Sequence, residues 1–346
     1  MTRKLSRRIA LLVMAPALAL SGAAAAQEPP APPAADFVIT PRPAPESAEP
    51  AESDQSLLLL GTDRSDRMTM PVQIGAGGPY DFLIDTGSQR TIVATEIAQR
   101  LALPALPPVQ IVSMAGRVTV SAVMLGGLRF GDHAIETLNA LSIAHSDLGS
   151  AGLIGLDSLK DKRLTLDFRN RRMDVGKSRR RPVRADADTI IVEARSKFGQ
   201  LILVDSKVDG RKVNVILDTG AEMSIGNMAL FNKLKVKKLL VPPQPTTLTS
   251  VTGLEVPAQF TVVRKLTIGS VTLNNVPMVF LDAAPFEELD LADKPAMLLG
   301  MRMLRLFDQV AIDFGNRHVD FRIRDSAASY GGSQFASALA ADAGRR

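Results

Sequence analysis

Two stretches of this 346-residue chain repeat the same pattern, and this internal repeat constrains the possible folds more than any other feature. An apolar, strand-like segment runs into Asp-Thr-Gly twice, at 85–87 and at 218–220. Four further matches follow in the same order: SMAGRV with SVTGLE, LRFGD with LTIGS, GLIGLDSL with MLLGMRML, and LTLDF with VAIDF. A shared order of landmarks predicts two similar lobes, at 67–176 and 189–324.

Within each repeat, short strands dominate the predicted secondary structure. β-branched residues alternate with polar ones, and Gly and Pro interrupt the pattern about every ten residues. Short helices are expected at 94–102 and 227–235, and two more near Asp157 and Gly300. The predicted fold class is therefore all-β with minor helix.

The first 26 residues have the features of an export signal. Four cations precede the apolar run IALLVMAPALAL, and Ala24 and Ala26 suit cleavage before Gln27. The alternative is an uncleaved anchor, but an apolar run of 12 residues is short for a membrane span. We expect a periplasmic or secreted bacterial protein with no stable membrane insertion after cleavage.

Three further segments lie outside the repeats. Residues 27–66 are rich in Pro, Ala and Glu and are interpreted as a disordered tether, with a possible strand at 57–60. A basic linker is predicted at 177–188, and a disordered tail of small and polar residues at 325–346.

Composition excludes several kinds of function. The chain has no Cys and only three widely spaced His, which argues against thiol chemistry, a His-based metal site and a Ser-His-Asp triad. We therefore expect no metal and no cofactor. Removal of the signal lowers the net charge from +5 to +1, and there is no Trp, so a nucleic-acid partner is not expected.

The doubled Asp-Thr-Gly motif carries the chemistry. One copy is most simply a β-turn, but that does not explain why both repeats keep all three residues. If the lobes pack about a pseudo-twofold axis, Asp85 and Asp218 meet, and two carboxyls within hydrogen-bond reach share one proton. Such a pair can deprotonate a water and protonate a peptide carbonyl. We expect Thr86 and Thr219 to bond across the loops.

The chain resembles the retropepsin-like aspartic proteases of the pepsin superfamily, in the form of exported bacterial proteins with two lobes in one chain. The resemblance rests on the catalytic loops FLIDTGS and VILDTGA, the flap hairpins SMAGRV and SVTGLE, and the later elements LIGLD and LLGMR. It covers 67–324. The sequence departs from the pepsin pattern because neither candidate flap carries a Tyr.

The resemblance implies two acid-protease-type β-barrel lobes with an active-site cleft between them, and an aspartic endopeptidase that cleaves protein or peptide substrates. Asp85 and Asp218 would be catalytic, as in the aspartic proteases for which the shared proton is well known. The flap candidates are Met114, Gly116, Val251 and Gly253, with Met114 and Val251 equally compatible with core positions.

Two glycines of the motif and the serine after its first copy receive supporting roles. Gly87 and Gly220 are expected to allow the turn and to bond the carboxylates through their amides. By analogy with the pepsin group, Ser88 would donate to Asp85 and favour its ionised form, while the second lobe has Ala221 there. Its alternative role is to cap the following turn.

The later hydrophobic element of each lobe contains one glycine. Gly155 and Gly300 would leave room for a strand packed beneath the catalytic loop.

Two other interpretations of the repeat remain open. The same scaffold could be a catalytically silent peptide-binding module, or a surface adhesion domain of repeated β units. A homodimer of like lobes is unnecessary because one chain holds both lobes, so we expect a monomer.

Overall fold

The computed structural model describes residues 68–131, 133–179 and 188–323, together with five short strands nearer the N-terminus. The remainder of the predicted signal, tether and linker, and the whole predicted tail, lie outside the described residues. The five short strands are β1 (Leu11–Leu12), β2 (Pro16–Ala17), β3 (Phe37–Ile39), β4 (Leu57–Leu59) and β5 (Gly61–Thr62).

The first lobe is a strand-rich unit with three short helices. Its elements are β6 (Met68–Ile74), β7 (Gly77–Ile84), β8 (Ile92–Ala94), α1 (Thr95–Arg100), β9 (Ala105–Ser113), β10 (Gly116–Phe130), β11 (His133–Ile143), α2 (His145–Leu148), β12 (Gly152–Ile154), α3 (Leu156–Leu159), β13 (Lys162–Asp167) and β14 (Arg172–Lys177).

The second lobe follows the same order of elements. It comprises β15 (Thr189–Lys197), β16 (Gln200–Val208), β17 (Arg211–Leu217), β18 (Ser224–Gly226), α4 (Met228–Phe231), a 3-10 turn (Val236–Lys238), β19 (Val241–Ser250), β20 (Glu255–Ile268), β21 (Val271–Phe280), α5 (Ala284–Glu288), β22 (Ala296–Leu299), α6 (Met301–Leu304), β23 (Gln309–Asp313) and β24 (His318–Arg322).

The strand pairings repeat as well. In the first lobe β12 lies between β7, to which it is parallel, and β8; in the second, β22 lies between β17 and β18 in the same way. The long hairpins β9–β10 and β19–β20 also correspond. Equivalent ladders in both halves confirm the predicted all-β fold of two similar lobes.

A shared sheet joins the lobes. The two copies of one sequence landmark, in β13 and β23, pair antiparallel with each other, with Leu164 opposite Ile312 and Leu166 opposite Val310. Antiparallel pairing of equivalent strands is the arrangement that a twofold axis produces. Their inward side chains are fully buried in a core that continues into both lobes.

The helices agree only in part with expectation. Helix α1 lies inside the predicted 94–102, and α3 and α6 begin near Asp157 and Gly300. Helix α4 ends at Phe231, earlier than predicted, and α2 and α5 had no sequence signal. Across the described residues, no helix combines the length and the apolar character that crossing a membrane requires.

Parts of 27–66 form short strands, one of them at the position where the sequence indicates a possible strand. Strand β4 lies at the predicted 57–60 and pairs with β14. Strands β3 and β5 extend the edges at β21 and β6. Such pairings depend on a free sheet edge elsewhere in the chain, which composition does not reveal.

Candidate active site

The two motif aspartates lie together at the ends of equivalent strands. Asp85 follows β7 and Asp218 follows β17, and both side chains are fully buried. The neighbouring parallel strand holds each loop, because the amide of Asp85 donates to Ile154 O at 3.0 Å and that of Asp218 to Leu299 O at 3.1 Å. The two carboxyls lie close enough together for the charge of Asp85 to influence the protonation of Asp218.

The two threonines lock the loops across the lobe boundary. Thr86 Oγ1 donates to Leu217 O at 2.9 Å and accepts from the Thr219 amide at 3.2 Å. Thr219 Oγ1 donates to Ile84 O at 2.7 Å and accepts from the Thr86 amide at 3.0 Å. This near-twofold set of four bonds is the one expected for Thr86 and Thr219.

The motif glycines are required for a different reason from the one expected. Neither Gly87 nor Gly220 has a positive φ, so the turn itself does not demand glycine. Each instead faces the carboxyl of the opposite lobe: a Cβ on Gly87 would lie 2.7 Å from Asp218 Oδ1, and one on Gly220 would lie 2.6 Å from Asp85 Oδ1. A side chain at either position would displace the opposite carboxyl.

Backbone amides support both carboxyls, but not equally. Asp85 Oδ1 accepts from the Gly87 and Ser88 amides at 2.7 and 3.0 Å, and Asp218 Oδ1 from the Gly220 and Ala221 amides at 3.0 and 3.1 Å. Burial, and then the charge of Asp85, raise the pKa of Asp218 well above its usual value. Asp218 is therefore the member of the pair whose protonated form the site favours.

The Ser88 hydroxyl does not have the role expected from the pepsin group. Its Oγ donates to Arg90 O at 2.8 Å, which closes the turn after the motif, and only its backbone amide reaches Asp85. The second lobe makes the same amide contact without a serine, through Ala221. Ser88 thus caps a turn, and the asymmetry of the pair has another origin.

The glycines of the later element lie where a side chain has no room. A Cβ on Gly155 would be 2.5 Å from the Arg90 carbonyl carbon, and one on Gly300 would be 2.6 Å from Met223 O. These positions place Gly155 and Gly300 directly against the chain that follows each catalytic loop.

The tips of the two long hairpins are inserted into opposite lobes. Met114, at the tip of β9–β10, is 2% exposed and belongs to a cluster of second-lobe side chains that includes Ile216 and Phe286. Val251, at the tip of β19–β20, is 1% exposed among first-lobe side chains such as Leu83. Each residue therefore lies at the tip of its own hairpin and in the hydrophobic core of the other lobe.

Both hairpin glycines serve the turn. Gly116 and Gly253 have φ values of 115° and 73°, which residues with a side chain adopt only under strain. Arg117, beside Gly116, forms an ion pair with Glu288 on α5 of the second lobe. Each hairpin tip is therefore held against the lobe opposite its own.

Sequence reasoning missed three contacts around the loops. Thr91 Oγ1 accepts from the Gly155 amide at 3.2 Å, and Ser224 Oγ accepts from the Gly300 amide at the same distance. These hydroxyls occupy equivalent positions, so a closer comparison of the repeats contained the signal. Gln200 Nε2 donates to Gly87 O at 2.7 Å, and no local pattern pointed to it.

Comparisons with known proteins agree with this geometry. The family model described as aspartyl protease matches residues 70–158 and 204–303, one region in each lobe and together more than half of the chain. No curated protein matches the chain. The two matched regions contain the two Asp-Thr-Gly loops at the lobe boundary, and the chain belongs to the aspartyl protease family.

Proposed function

We propose that this protein is an aspartic endopeptidase in which Asp85 and Asp218 form one catalytic pair. The observation that carries the proposal is the pair itself: two fully buried carboxyls, one supplied by each lobe and each lying against the catalytic loop of the other lobe. Holding two carboxyls at such a site is costly to stability, and catalytic sites are where such costs are retained.

The raised pKa of Asp218 supports different roles for the two carboxyls. Asp85, ionised, accepts a proton from a water placed between the carboxyls as the water attacks the peptide carbonyl. Asp218, protonated, donates its proton to the carbonyl oxygen, giving a neutral tetrahedral intermediate. When the C–N bond breaks, the proton on Asp85 passes to the leaving nitrogen, and a hydroxyl of the intermediate returns a proton to Asp218.

The hairpin strands support an extended substrate. The outer strands β9 and β19 have edges that accept main-chain pairing: β1 pairs with β9 in parallel, and β2 pairs with β19 antiparallel. A single segment that crosses a twofold axis runs parallel to one of the two strands related by that axis and antiparallel to the other. The pairings of β1 and β2 show these same two directions. An extended peptide crossing between the lobes would use these same edges.

Access to the carboxyls requires the hairpins to open. Both aspartates are fully buried, and apolar side chains of the opposite lobes hold Met114 and Val251. Apolar surroundings favour hydrophobic substrate residues beside the scissile bond. We further propose that the enzyme acts as a monomer outside the cytoplasm, on the basis of the N-terminal signal pattern and the two lobes in one chain.

The test is cleavage of a mixed peptide library between pH 3 and pH 8 by the purified protein, with and without a pepstatin-type inhibitor. The blank is the double variant Asp85→Asn/Asp218→Asn. The matched control is Asp81→Asn, an exposed aspartate on β7 that should retain full activity. Inhibitor-sensitive cleavage absent from the blank supports the proposal. Inhibitor or peptide binding without cleavage at any pH would instead identify a peptide-binding module.

A further inference from the structure

Gln200 belongs to the second lobe, yet its side chain reaches the catalytic loop of the first. Its Nε2 donates to Gly87 O at 2.7 Å, and the residue is fully buried. A carbonyl oxygen only accepts hydrogen bonds, so the nitrogen of the amide must face it. The bond therefore has a defined direction, from Gln200 to the loop that carries Asp85.

The hairpin that carries Gln200 is docked against the first lobe. Lys197 pairs with Gln200 across a two-residue turn, and the turn residues Phe198 and Gly199 have φ values of 51° and 88°. Two positive φ values fit the tight turn that matches strand twist. A Cβ on Gly199 would lie 3.5 Å from Leu156 Cδ1 of α3, so the turn rests on the first lobe.

The accepting carbonyl and a donor to Asp85 belong to one peptide unit. Gly87 contributes the C=O and Ser88 the N–H, and that N–H donates to Asp85 Oδ1 at 3.0 Å. Donation to a peptide oxygen polarises the unit and strengthens donation by its N–H. On the basis of the proposed function, we infer that Gln200 is a positioning residue which, through this peptide, makes Asp85 the ionised member of the pair.

Two observations support this role. The amide bonds to Asp85 Oδ1 are shorter than the equivalent bonds to Asp218 Oδ1, at 2.7 and 3.0 Å against 3.0 and 3.1 Å. The two repeats also differ in sequence at this position, because the residue of the first repeat that is equivalent to Gln200 is Arg67. Gln200 thus supplies the asymmetry that Ser88 does not.

Glutamine is also an unusual residue at a buried position whose side chain serves only to fill the core. Its Oε1 is buried and has no hydrogen-bond partner among the described residues, and burying such an atom is unfavourable. A hydrophobic residue of similar size would fill the same space without that cost. The cost is understandable if the amide nitrogen is needed at Gly87.

Other charged groups near the pair are engaged elsewhere. The titratable group against Asp85 is Asp218. In the first lobe Arg90 pairs with Asp157 at 3.4 Å, and in the second Glu222 pairs with Arg302 and Arg305. The Gly87 and Ser88 amides are the donors that support the charge of Asp85 in this account.

The test compares the pH dependence of kcat/KM in three proteins: wild type, Gln200→Met and Gln200→Glu. Methionine keeps the volume but cannot donate, so we expect the acidic limb to move up by about 0.5 to 1 pH unit and kcat/KM to fall by about tenfold or less. Protonated glutamic acid can donate to Gly87 O, so Gln200→Glu should retain the wild-type acidic limb and lose activity at higher pH as it ionises. Phe198→Asn is the matched control, because it alters the same turn at an exposed side chain and should leave the profile unchanged.

A second readout keeps the inference separate from the proposed function. Aspartate carboxyls labelled with 13C can be titrated by NMR in wild type and Gln200→Met without any turnover. We expect the lower of the two apparent pKa values of the pair to rise in the variant. Unchanged carboxyl titration, or identical acidic limbs for Gln200→Met and Gln200→Glu, would overturn the inference even if the wild type cleaves peptides. A wild type that does not cleave while the titration shifts would leave it standing.

Discussion

Replacing Gly87 with alanine tests the closest contact between the lobes. The added Cβ would lie 2.7 Å from Asp218 Oδ1, whereas ordinary contact begins at 3.4 Å, so the atoms must separate by a further 0.7 Å. The opposing atom belongs to a buried carboxyl held by the Gly220 and Ala221 amides, so the strain cannot be relieved by rotation into solvent. A misplacement of about 1 Å can lower the rate by about 100-fold, so a loss of about 10- to 100-fold in kcat is expected. Overpacking should also lower the free energy of unfolding by about 1–3 kcal/mol.

The assay is steady-state cleavage of a peptide selected from the library, combined with urea unfolding monitored by circular dichroism. Gly126→Ala is the matched control, because its φ is not in the positive range and its Cβ would meet only Glu136 O, at 3.9 Å. We expect the control to behave as wild type in both assays. A Gly87→Ala protein that retains kcat within about threefold of wild type would refute the argument that this carboxyl must stay within a fraction of an ångström of its place.

Three further predictions concern the same region. Thr86→Val removes two cross-lobe hydrogen bonds and should lower the free energy of unfolding by about 2 kcal/mol in urea titrations. The control, Thr119→Val at an exposed position, should change it by less than about 0.5 kcal/mol. Equal effects of the two substitutions would count against a stabilising role for the cross-lobe bonds. Because folding raises the pKa of Asp218, the free energy of unfolding is highest, as far as this carboxyl is concerned, below its usual pKa of 3.8. It falls as pH rises from 3.8 towards the folded-state pKa, because ionisation of the buried carboxyl is unfavourable. Asp218→Asn should therefore be more stable than wild type at pH 7, with the difference vanishing near pH 3, and a variant that is less stable at pH 7 would contradict this sign. A synthetic peptide of residues 9–19 should compete with substrate because β1 and β2 pair with the hairpin strands, and a scrambled peptide that competes equally would contradict that interpretation.

The fold was largely predictable because its main determinant is repeated in the sequence. Two copies of Asp-Thr-Gly in equivalent positions required two lobes, and glycines such as Gly155 and Gly300 marked close packing beneath the loops. Local turn signals also placed the hairpin tips at Gly116 and Gly253. These features depend on neighbours within one repeat, which a sequence displays directly.

What escaped prediction depends on contacts between lobes. Gln200 acts on a loop 113 residues away, and nothing in its neighbours distinguishes it from a surface glutamine. Met114 and Val251 are core residues of the opposite lobes, so neither the core nor the flap interpretation alone described them. For Ser88, analogy with the pepsin group pointed to Asp85, whereas its hydroxyl donates to Arg90 O, which fits the alternative role of a turn cap.

If one active site is built from both lobes, its two aspartates must act together, which is tested by comparing kcat for Asp85→Asn, Asp218→Asn and the double variant on one peptide. Residues that act as a unit are not additive, so each single variant should be as inactive as the double variant. Unaltered folding, checked by circular dichroism, ensures that the comparison reports on chemistry. Substantial cleavage by either single variant would contradict a shared pair and would show that one lobe can act without the carboxyl of the other.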